Sequence, residues 1–443
     1  MPHNWPILTI AECAADEPYS TQIGPFGKAL TPDAYLPSGV PLLRGINVNR
    51  GRFYDDEFVF ISESDADRLA KFESFPCDVL LVHKGTLGQI GLMPEKRRFR
   101  RYIMGNSMMR VRTNPSKLLP TYLHYWLRSP SGQQYLLSRV SQVGVPQIQR
   151  PLTTLRQAAL PVPPPSEQEA IAGVLSALDD KIEQNRRTAQ AIEQVARALF
   201  RAWFVAFEPI KAKAAGLTSF PSTPQSLFAA LPARLVNSEL GLVPEAWEVK
   251  PLSSVCTLVS GGTPKRSEPS YWHGDVPWYS VKDAPSDGEV WVVNTDERIT
   301  QDGLANSAAR MVPKGCTIIS ARGTVGKLAM AGTPMAFNQS CYGLLPGDDS
   351  SFGYLYLLIQ TVVGDLQQRT HGSVFDTITR ATFDGLLVVK PPAKVVSSFE
   401  TVAAPLFDAL LAARQESVKL AEIRDYLLPR LLNGSVRMNA ANG

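Results

Sequence analysis

No two cysteines lie close enough along this chain of 443 residues to suggest a bridge or a shared ligand. The five, Cys13, Cys77, Cys256, Cys316 and Cys341, are odd in number and never form a Cys-x-x-Cys pair. Buried free thiols are expected, not a disulfide framework or zinc site. A run of about 18 apolar residues is missing too, as is a basic start followed by an apolar stretch, so neither membrane spanning nor secretion is expected and a cytoplasmic location follows by default. The histidines, at 3, 83, 124, 273 and 371, form no ligand-spaced pair. There is no Gly-x-x-x-x-Gly-Lys-Ser/Thr phosphate loop, and no Asn-Pro-Pro-aromatic or Asp-Pro-Pro-aromatic tetrapeptide of the kind that holds a target amine for methyl transfer. Catalysis has no visible home, and neither a metal nor a cofactor is expected in this chain.

What is present is normal globular composition, 44% hydrophobic and 19% charged, on a chain long enough for two or three domains. The net charge of +4 is unremarkable, but its distribution is uneven. Residues 79–160 hold 13 Lys and Arg against Glu95 alone, whereas residues 1–78 hold 6 basic and 12 acidic side chains. Such segregation suggests a polyanion-facing surface. Residues 245–392 run the other way, with 12 basic and 15 acidic side chains, so a second half binding the same polyanion must gather its cations on one face or bind more weakly.

The strongest organising signal is an internal repeat. Gly39-Val40-Pro41 answers Asp275-Val276-Pro277, and the Lys84-Gly85-Thr86-Leu87-Gly88 turn answers Arg322-Gly323-Thr324-Val325-Gly326. Asn106-Ser107 then answers Asn338-Gln339-Ser340, and Pro163-Pro164 answers Pro391-Pro392. The offset falls from 238 at Gly85 to 228 at Pro163, as small loop deletions would produce. Each half opens with short β-like runs punctuated by Gly and Pro, which predicts a mixed α+β domain. Each then meets a proline stop and a long helix, with Ser166-Glu167-Gln168-Glu169 and Ser397-Ser398-Phe399-Glu400 as expected capping boxes.

In the first helix a 4-3 spacing links Ile171, Leu175, Leu178, Ile182, Asn185, Ala189, Ile192, Ala196, Leu199 and Trp203. That is a coiled-coil seam in which Asn185 can fix register. The second offers a poorer seam, from Phe399 through Ala403, Leu406, Leu410, Ala413, Ser417, Leu420, Arg424 and Leu427 to Leu431, with Pro405 expected to kink or delay its first turns. A helix over 167–205 would be about 58 Å long, far more than a local core requires. The expected segmentation is a domain at 1–164, a helix at 165–207, an irregular Pro, Ala and Ser-rich linker at 208–243, a domain at 244–394, a helix at 395–434 and a disordered tail at 435–443.

In order and in duplicate, these features resemble the specificity subunits of Type I restriction-modification systems. The resemblance covers nearly the whole chain. Its carriers are Gly24-Pro25-Phe26-Gly27, Ser260-Gly261-Gly262-Thr263-Pro264, Tyr271-Trp272, Val276-Pro277-Trp278, the two Gly-Thr-x-Gly turns and the Pro-Pro-Pro-Ser-Glu-Gln-Glu approach to the first helix. It implies two pseudo-symmetric target recognition domains joined by two long antiparallel helices that form a coiled-coil spacer, each domain reading half of a split double-stranded DNA site. It further implies that two modification subunits and restriction subunits supply adenine methylation and ATP-driven cleavage, with S-adenosylmethionine, ATP and Mg2+ bound there.

Several stretches are candidate DNA contacts, each with a plainer alternative. Lys96-Arg97-Arg98-Phe99-Arg100-Arg101-Tyr102 is either a phosphate-contacting run or a solvated face, with Arg97, Arg98, Arg100 and Arg101 the candidates. Lys84, Gly85 and Thr86, and Arg322, Gly323 and Thr324 with Lys327, set a cation beside a glycine that lets backbone approach a ligand, or are glycine turns for conformation alone. Gln147, Gln149 and Arg150, answered by Val374-Phe375-Asp376-Thr377-Ile378-Thr379-Arg380 with Thr377 and Arg380, offer groups suited to adenine and guanine edges, or serve capping and packing. The aromatic helix end at Phe200, Trp203, Phe204 and Phe207, with Tyr426 and Leu428 as its mate, either packs on its own neighbour helix or docks a modification subunit. Two rival readings are a free-standing methyltransferase or nuclease and an assembly scaffold that never touches DNA.

Overall fold

A computed structural model describes residues 5–26, 30–49, 51–141, 144–285, 288–370 and 377–437, the side chains of residues 369 and 370 apart. The chain forms two compact units. The first comprises Met1–Asp180 with Leu420–Gly443 and the second Lys181–Lys419.

In the first unit a four-stranded antiparallel sheet runs in the order Thr21–Ile23, Met108–Val111, Val79–Val82, Ile90–Leu92. Val79-Leu80-Leu81-Val82 is apolar without alternation because both of its faces are covered, and all four residues are buried. Beside it Val40–Leu43 pairs antiparallel with Val59–Ile61 and parallel with Ile103–Met104. Ile7–Thr9 pairs with Ala159–Pro161, next to the start of the first long helix.

The second unit repeats this plan in its main sheets. Cys256–Ser260, Cys341–Pro346, Thr317–Ser320 and Leu328–Ala331 form the equivalent sheet, extended by Trp291–Val292. Trp272–Tyr279 takes Glu297–Ile299 antiparallel and Ala336–Phe337 parallel, and Glu248–Pro251 pairs with Leu387–Lys390. The α+β class and the internal duplication expected from the repeat are both observed. One difference follows from a single residue. Pro130 cannot continue the helix Pro120–Arg128, so Ser129 caps a second helix, Pro130–Leu137, where the other unit runs unbroken over Phe352–Thr370.

Each unit also holds a stretch of both long helices, Pro165–Phe200 and Ala393–Leu432. Their pairing is antiparallel in each: Asp179 meets Arg424 at 2.6 Å in the first unit, and Asn185 donates to Glu416 at 2.7 Å in the second. Asn185 is the polar seam residue the spacing pointed to, and none of the ten seam positions is exposed. By length and composition the second long helix could cross a membrane. Instead its Phe399, Ala403 and Leu410 are core residues of the second unit.

Several expectations fail for local reasons. Neither capping box forms. Pro165 is already the first residue of the helix, and buried Gln168 spends its amide on Leu119 N, Lys117 O and Pro163 O at 2.8, 2.9 and 2.8 Å. The second helix starts at Ala393, so Ser397 and Ser398 lie inside it and donate back to Lys394 O. Pro405 does not interrupt that helix. It is exposed, as is Thr401, the residue four back whose carbonyl it leaves without a helical donor. The expected irregular linker is largely structured, with helices at Glu208–Ala214 and Gln225–Ala230 and a hairpin of Leu235–Ser238 with Gly241–Pro244. Its Ile210, Leu227, Phe228 and Leu231 are buried in the second unit, which is why the stretch folds. Of the expected disordered tail, residues 438–443 lie outside the described residues, while Val436 packs on the first core.

Candidate nucleic-acid interface

Four loop segments meet at one end of the main sheet in each unit, stitched together by backbone bonds. In the first unit the strand Val79–Val82 ends at His83, whose N–H donates to Ser107 O at 2.9 Å and whose carbonyl accepts from Ile148 N at 2.9 Å. Gly85 N donates to Pro146 O at 2.9 Å, making Lys84 and Gln147 a β-bridge pair. Gly24 N closes the row on Met108 O at 2.8 Å. The second unit repeats it: Ala321 N donates to Ser340 O at 2.7 Å, Ile378 N to Ala321 O at 3.0 Å, and Arg322 bridges Thr377. Gly261 N reaches Cys341 O at 3.4 Å.

The turns at the head of this edge need glycine. Gly85 and Gly323 have φ of +88° and +72°, and a Cβ on either would meet nothing within 4 Å. Both readings of the glycine therefore hold, since the conformation demands it and the space above it is open. Lys84, Thr86, Gln147, Gln149 and Arg150 are exposed, as are Arg322, Thr324, Lys327 and Arg380, while Thr377 is half-buried. Arg150 sits in the left-handed region at φ +44°, just before the helix Pro151–Arg156, where Thr154 N bonds its carbonyl. Arg380 opens the helix Arg380–Gly385 and donates to Leu258 O at 3.1 Å. Val374, Phe375 and Asp376 lie outside the described residues, as do Gly27, His3 and His371. Beneath the first edge, burial holds the His83 imidazole below its usual pKa, and its Nε2 lies 3.1 Å from Asn106 O.

The basic run of residues 96–101 is not brought to this edge. Leu92 pairs with Val79 and Met93 N bonds Asp78 O, so the run leaves the sheet at the end opposite the Gly85 turn. Folding also offsets part of the charge segregation along the sequence. Arg101 bonds Glu63, Asp67 and Glu73 at 3.0, 2.7 and 3.1 Å, Arg112 bonds Glu17 and Asp78, and buried Arg110 lies 3.8 Å from Asp78. Acidic residues from the first 78 positions thus pair with three of the thirteen cations of residues 79–160, and Arg101 is spent as a phosphate contact. Arg97 lies over the Tyr102 ring, half-buried, whereas Arg98 and Arg100 are exposed.

The docking expectation fails for five of its six residues. Phe200, Trp203, Phe204 and Phe207 are buried against Phe399, Tyr354 and Trp247 in the second core, and Leu428 is buried in the first. Tyr426 alone is exposed, with the Arg430 guanidinium stacked 3.7 Å above its ring.

No group of His, Cys, Asp and Glu able to hold a metal occurs among the described residues. The thiols behave as packing: Cys13, Cys256, Cys316 and Cys341 are buried and Cys77 half-buried, and burial pushes the Cys256, Cys316 and Cys341 thiols up to about 12. Absent from the list of sequence candidates are Asn106 and Gln339, exposed carboxamides beside the two turns. The repeat had aligned their segments without marking them as contacts.

Comparison with known proteins places the chain. A 27% identical relative, the Type I restriction enzyme HindI specificity subunit of Haemophilus influenzae, aligns over 377 residues, 76% of this chain and 81% of its own. The Type I restriction enzyme MjaIX specificity subunit of Methanocaldococcus jannaschii is 24% identical over 323 residues, 72% of this chain and 69% of its own. The crystal structure of the Type-I restriction-modification system S subunit from M. genitalium superposes with a TM-score of 0.58 over 98% of this chain and 97% of that one; at 15% identity this likeness speaks for the fold. The family model described as Type I restriction modification DNA specificity domain matches twice, over residues 47–194 and 244–395, one match for each half of the repeat. With both halves matched over about two thirds of its length, the chain belongs to the Type I restriction-modification specificity family.

Proposed function

We propose that this chain reads an asymmetric two-part DNA site, one short word per unit, and directs partner subunits that methylate adenine and cleave DNA with ATP. The observation that carries this reading is the duplicated edge. In both units a cation-bearing glycine turn, Lys84-Gly85-Thr86 or Arg322-Gly323-Thr324, is bridged to a second polar segment, Gln147 to Arg150 or Thr377 to Arg380. Lysine and arginine beside open backbone suit phosphates, and glutamine and arginine suit base edges, so each edge offers positioning and reading groups together. Lys327 extends the second. The paired helices, with Asn185 holding Glu416, act as a stiff gauge of the distance and twist between the two words.

In this reading the chain itself is not a catalyst. S-adenosylmethionine, ATP and Mg2+ belong to two modification subunits and the restriction subunits, and the complex works in the cytoplasm. An assembly scaffold without DNA contacts, or a stand-alone methyltransferase or nuclease, would leave the duplicated edge without a task.

The test is co-expression with a modification subunit and mapping of methylated adenines across the host genome. Two fixed words at constant separation are expected, and Lys84→Glu with Arg150→Glu should abolish methylation while the complex still assembles. Undiminished methylation by that variant would favour the scaffold reading, and methylation by the purified chain alone would favour the enzyme.

A further inference from the structure

The two edges share one more feature, the carboxamide beside each turn. Gly24 and Gly261 occupy equivalent places: a Cβ on Gly24 would fall 1.9 Å from Gly105 O, and one on Gly261 2.1 Å from Asn338 O. Two residues beyond those carbonyls, Ser107 O and Ser340 O accept from His83 N and Ala321 N, just before the two turns. The residue between is Asn106 in one unit and Gln339 in the other, and both are exposed. Fold-equivalent positions thus present the same functional group, one carbonyl oxygen and one amide donor, on backbone that neighbours hold on both sides. In the second unit the Thr263 hydroxyl donates to Gln339 Oε1, which holds the amide plane and leaves that oxygen a second lone pair. The residue equivalent to Thr263 is Phe26, exposed at 64%.

Resting on the DNA-reading function above, we propose that Asn106 and Gln339 are specificity-determining residues, each reading an adenine in the word of its own unit. An Asn or Gln side chain matches the adenine major-groove edge bidentately, accepting from N6 and donating to N7. A polar cluster serving only to close the loop would be turned inward, whereas these two side chains face solvent at the row that carries Lys84 and Arg322. Thr263 supplies the orientation that a long Gln side chain lacks. On the first edge exposed Phe26, two residues after the glycine that lies against Asn106, offers an apolar group suited to a thymine methyl.

The experiment uses the full chain co-expressed with its modification subunit, reading the methylated motif by genome-wide mapping and the chain's thermal midpoint as a folding control. Gln339→Leu should lower adenine preference at one position of one word on the order of ten- to a hundredfold, leaving the other word intact. Asn106→Leu should do the same to the opposite word. Gln339→Glu, which keeps an acceptor and loses the donor, should shift that position toward cytosine. Unaltered words in all three variants, against a wild type that shows two words, overturn the assignment alone. A wild type without two separated words overturns the DNA-reading function and this inference with it.

Discussion

At one matched position the two units do the same thing with opposite chemistry. Asp179 in the first long helix and Phe407 in the second are equivalent by the offset of 228 that relates Pro163 to Pro391. In each unit a side chain from a short strand, Arg52–Phe53 in the first and Trp291–Val292 in the second, grips that residue's main-chain carbonyl: Arg52 reaches Asp179 O at 2.6 Å, and Trp291 Nε1 reaches Phe407 O at 3.1 Å. Around the first carbonyl the site is ionic. The Asp179 carboxylate takes Arg128 at 2.7 Å, Arg424 at 2.6 Å and the Tyr125 hydroxyl at 3.0 Å, and Arg128 also contacts buried His124. Around the second it is apolar, with Tyr356 standing in for His124 and packed edge-on against Phe407 at 5.9 Å. The helix-to-domain bond is what the fold requires. The chemistry surrounding it is free, as expected where a buried ion cluster and a well-packed apolar one are close in net stability.

The comparison can be broken most sharply at Asp179. Asp179→Ala takes from the half-buried Arg128 and Arg424 guanidiniums their shared anion, Asp425 still pairing with Arg424, and should cost the first unit about 1.5–3 kcal/mol. Hydrogen exchange should show the loss in residues 1–180 and 420–443, and a loss spread evenly over both units would refute a local ionic anchor.

A second test is acid. Burial first, and Arg128 second, push the His124 imidazole down to about 3, while an unfolded histidine titrates near 6.5. Between those values the unfolded chain binds a proton that the folded one refuses, so stability falls as pH drops from about 6.5 toward 3. Asp179 acts in the same direction. Burial tends to raise its pKa, but Arg128 and Arg424 outweigh it and hold the carboxyl below its usual range. Its stabilisation is complete above the unfolded carboxylate pKa and is lost as pH falls through the folded one. His124→Tyr, which copies the second unit, should flatten the denaturant-midpoint slope over this window by one proton. An unchanged slope would show that His124 is not the titrating group.

Trp291→Phe removes a single donor while keeping most of the ring, and should cost about 1 kcal/mol in the second unit by denaturant titration. The smallest effect is expected from Arg98→Glu with Arg100→Glu, within about 0.5 kcal/mol in stability because both side chains are exposed. Their charge reversal should also reduce methylation far less than reversal at Lys84 and Arg150. The opposite ranking would return the basic run to the DNA-reading surface.

Much of this fold was legible in the sequence because duplication reports itself: turns, prolines and seam residues recur in order whatever the side chains between them do. Asn185 was readable for the same reason, being the one polar residue in an otherwise apolar seam. Helix starts were less legible, since Ser166 and Ser397 look like caps until Pro165 and Ala393 begin the helices ahead of them. Charge was the least legible. Arg101 belongs to a basic run in sequence, yet its partners Glu63, Asp67 and Glu73 lie 28 to 38 residues away, and only the folded chain brings them together. Asn106 and Gln339 carried no signal beyond their alignment, because an isolated carboxamide in a loop resembles any turn residue until its neighbours are fixed.

The docked segment after the first long helix bears on how such chains can be recombined. Phe200, Phe204 and Phe207, and after them Ile210, Phe228 and Leu231, all fill the core of the second unit. A chimera that swaps the first half and changes over at Phe207 would graft foreign aromatic residues into a native interior. Crossovers near Asp180 and again near Lys419 would keep each interior with its own lineage, so the exchangeable cassette begins and ends within helices and not in the loops between domains.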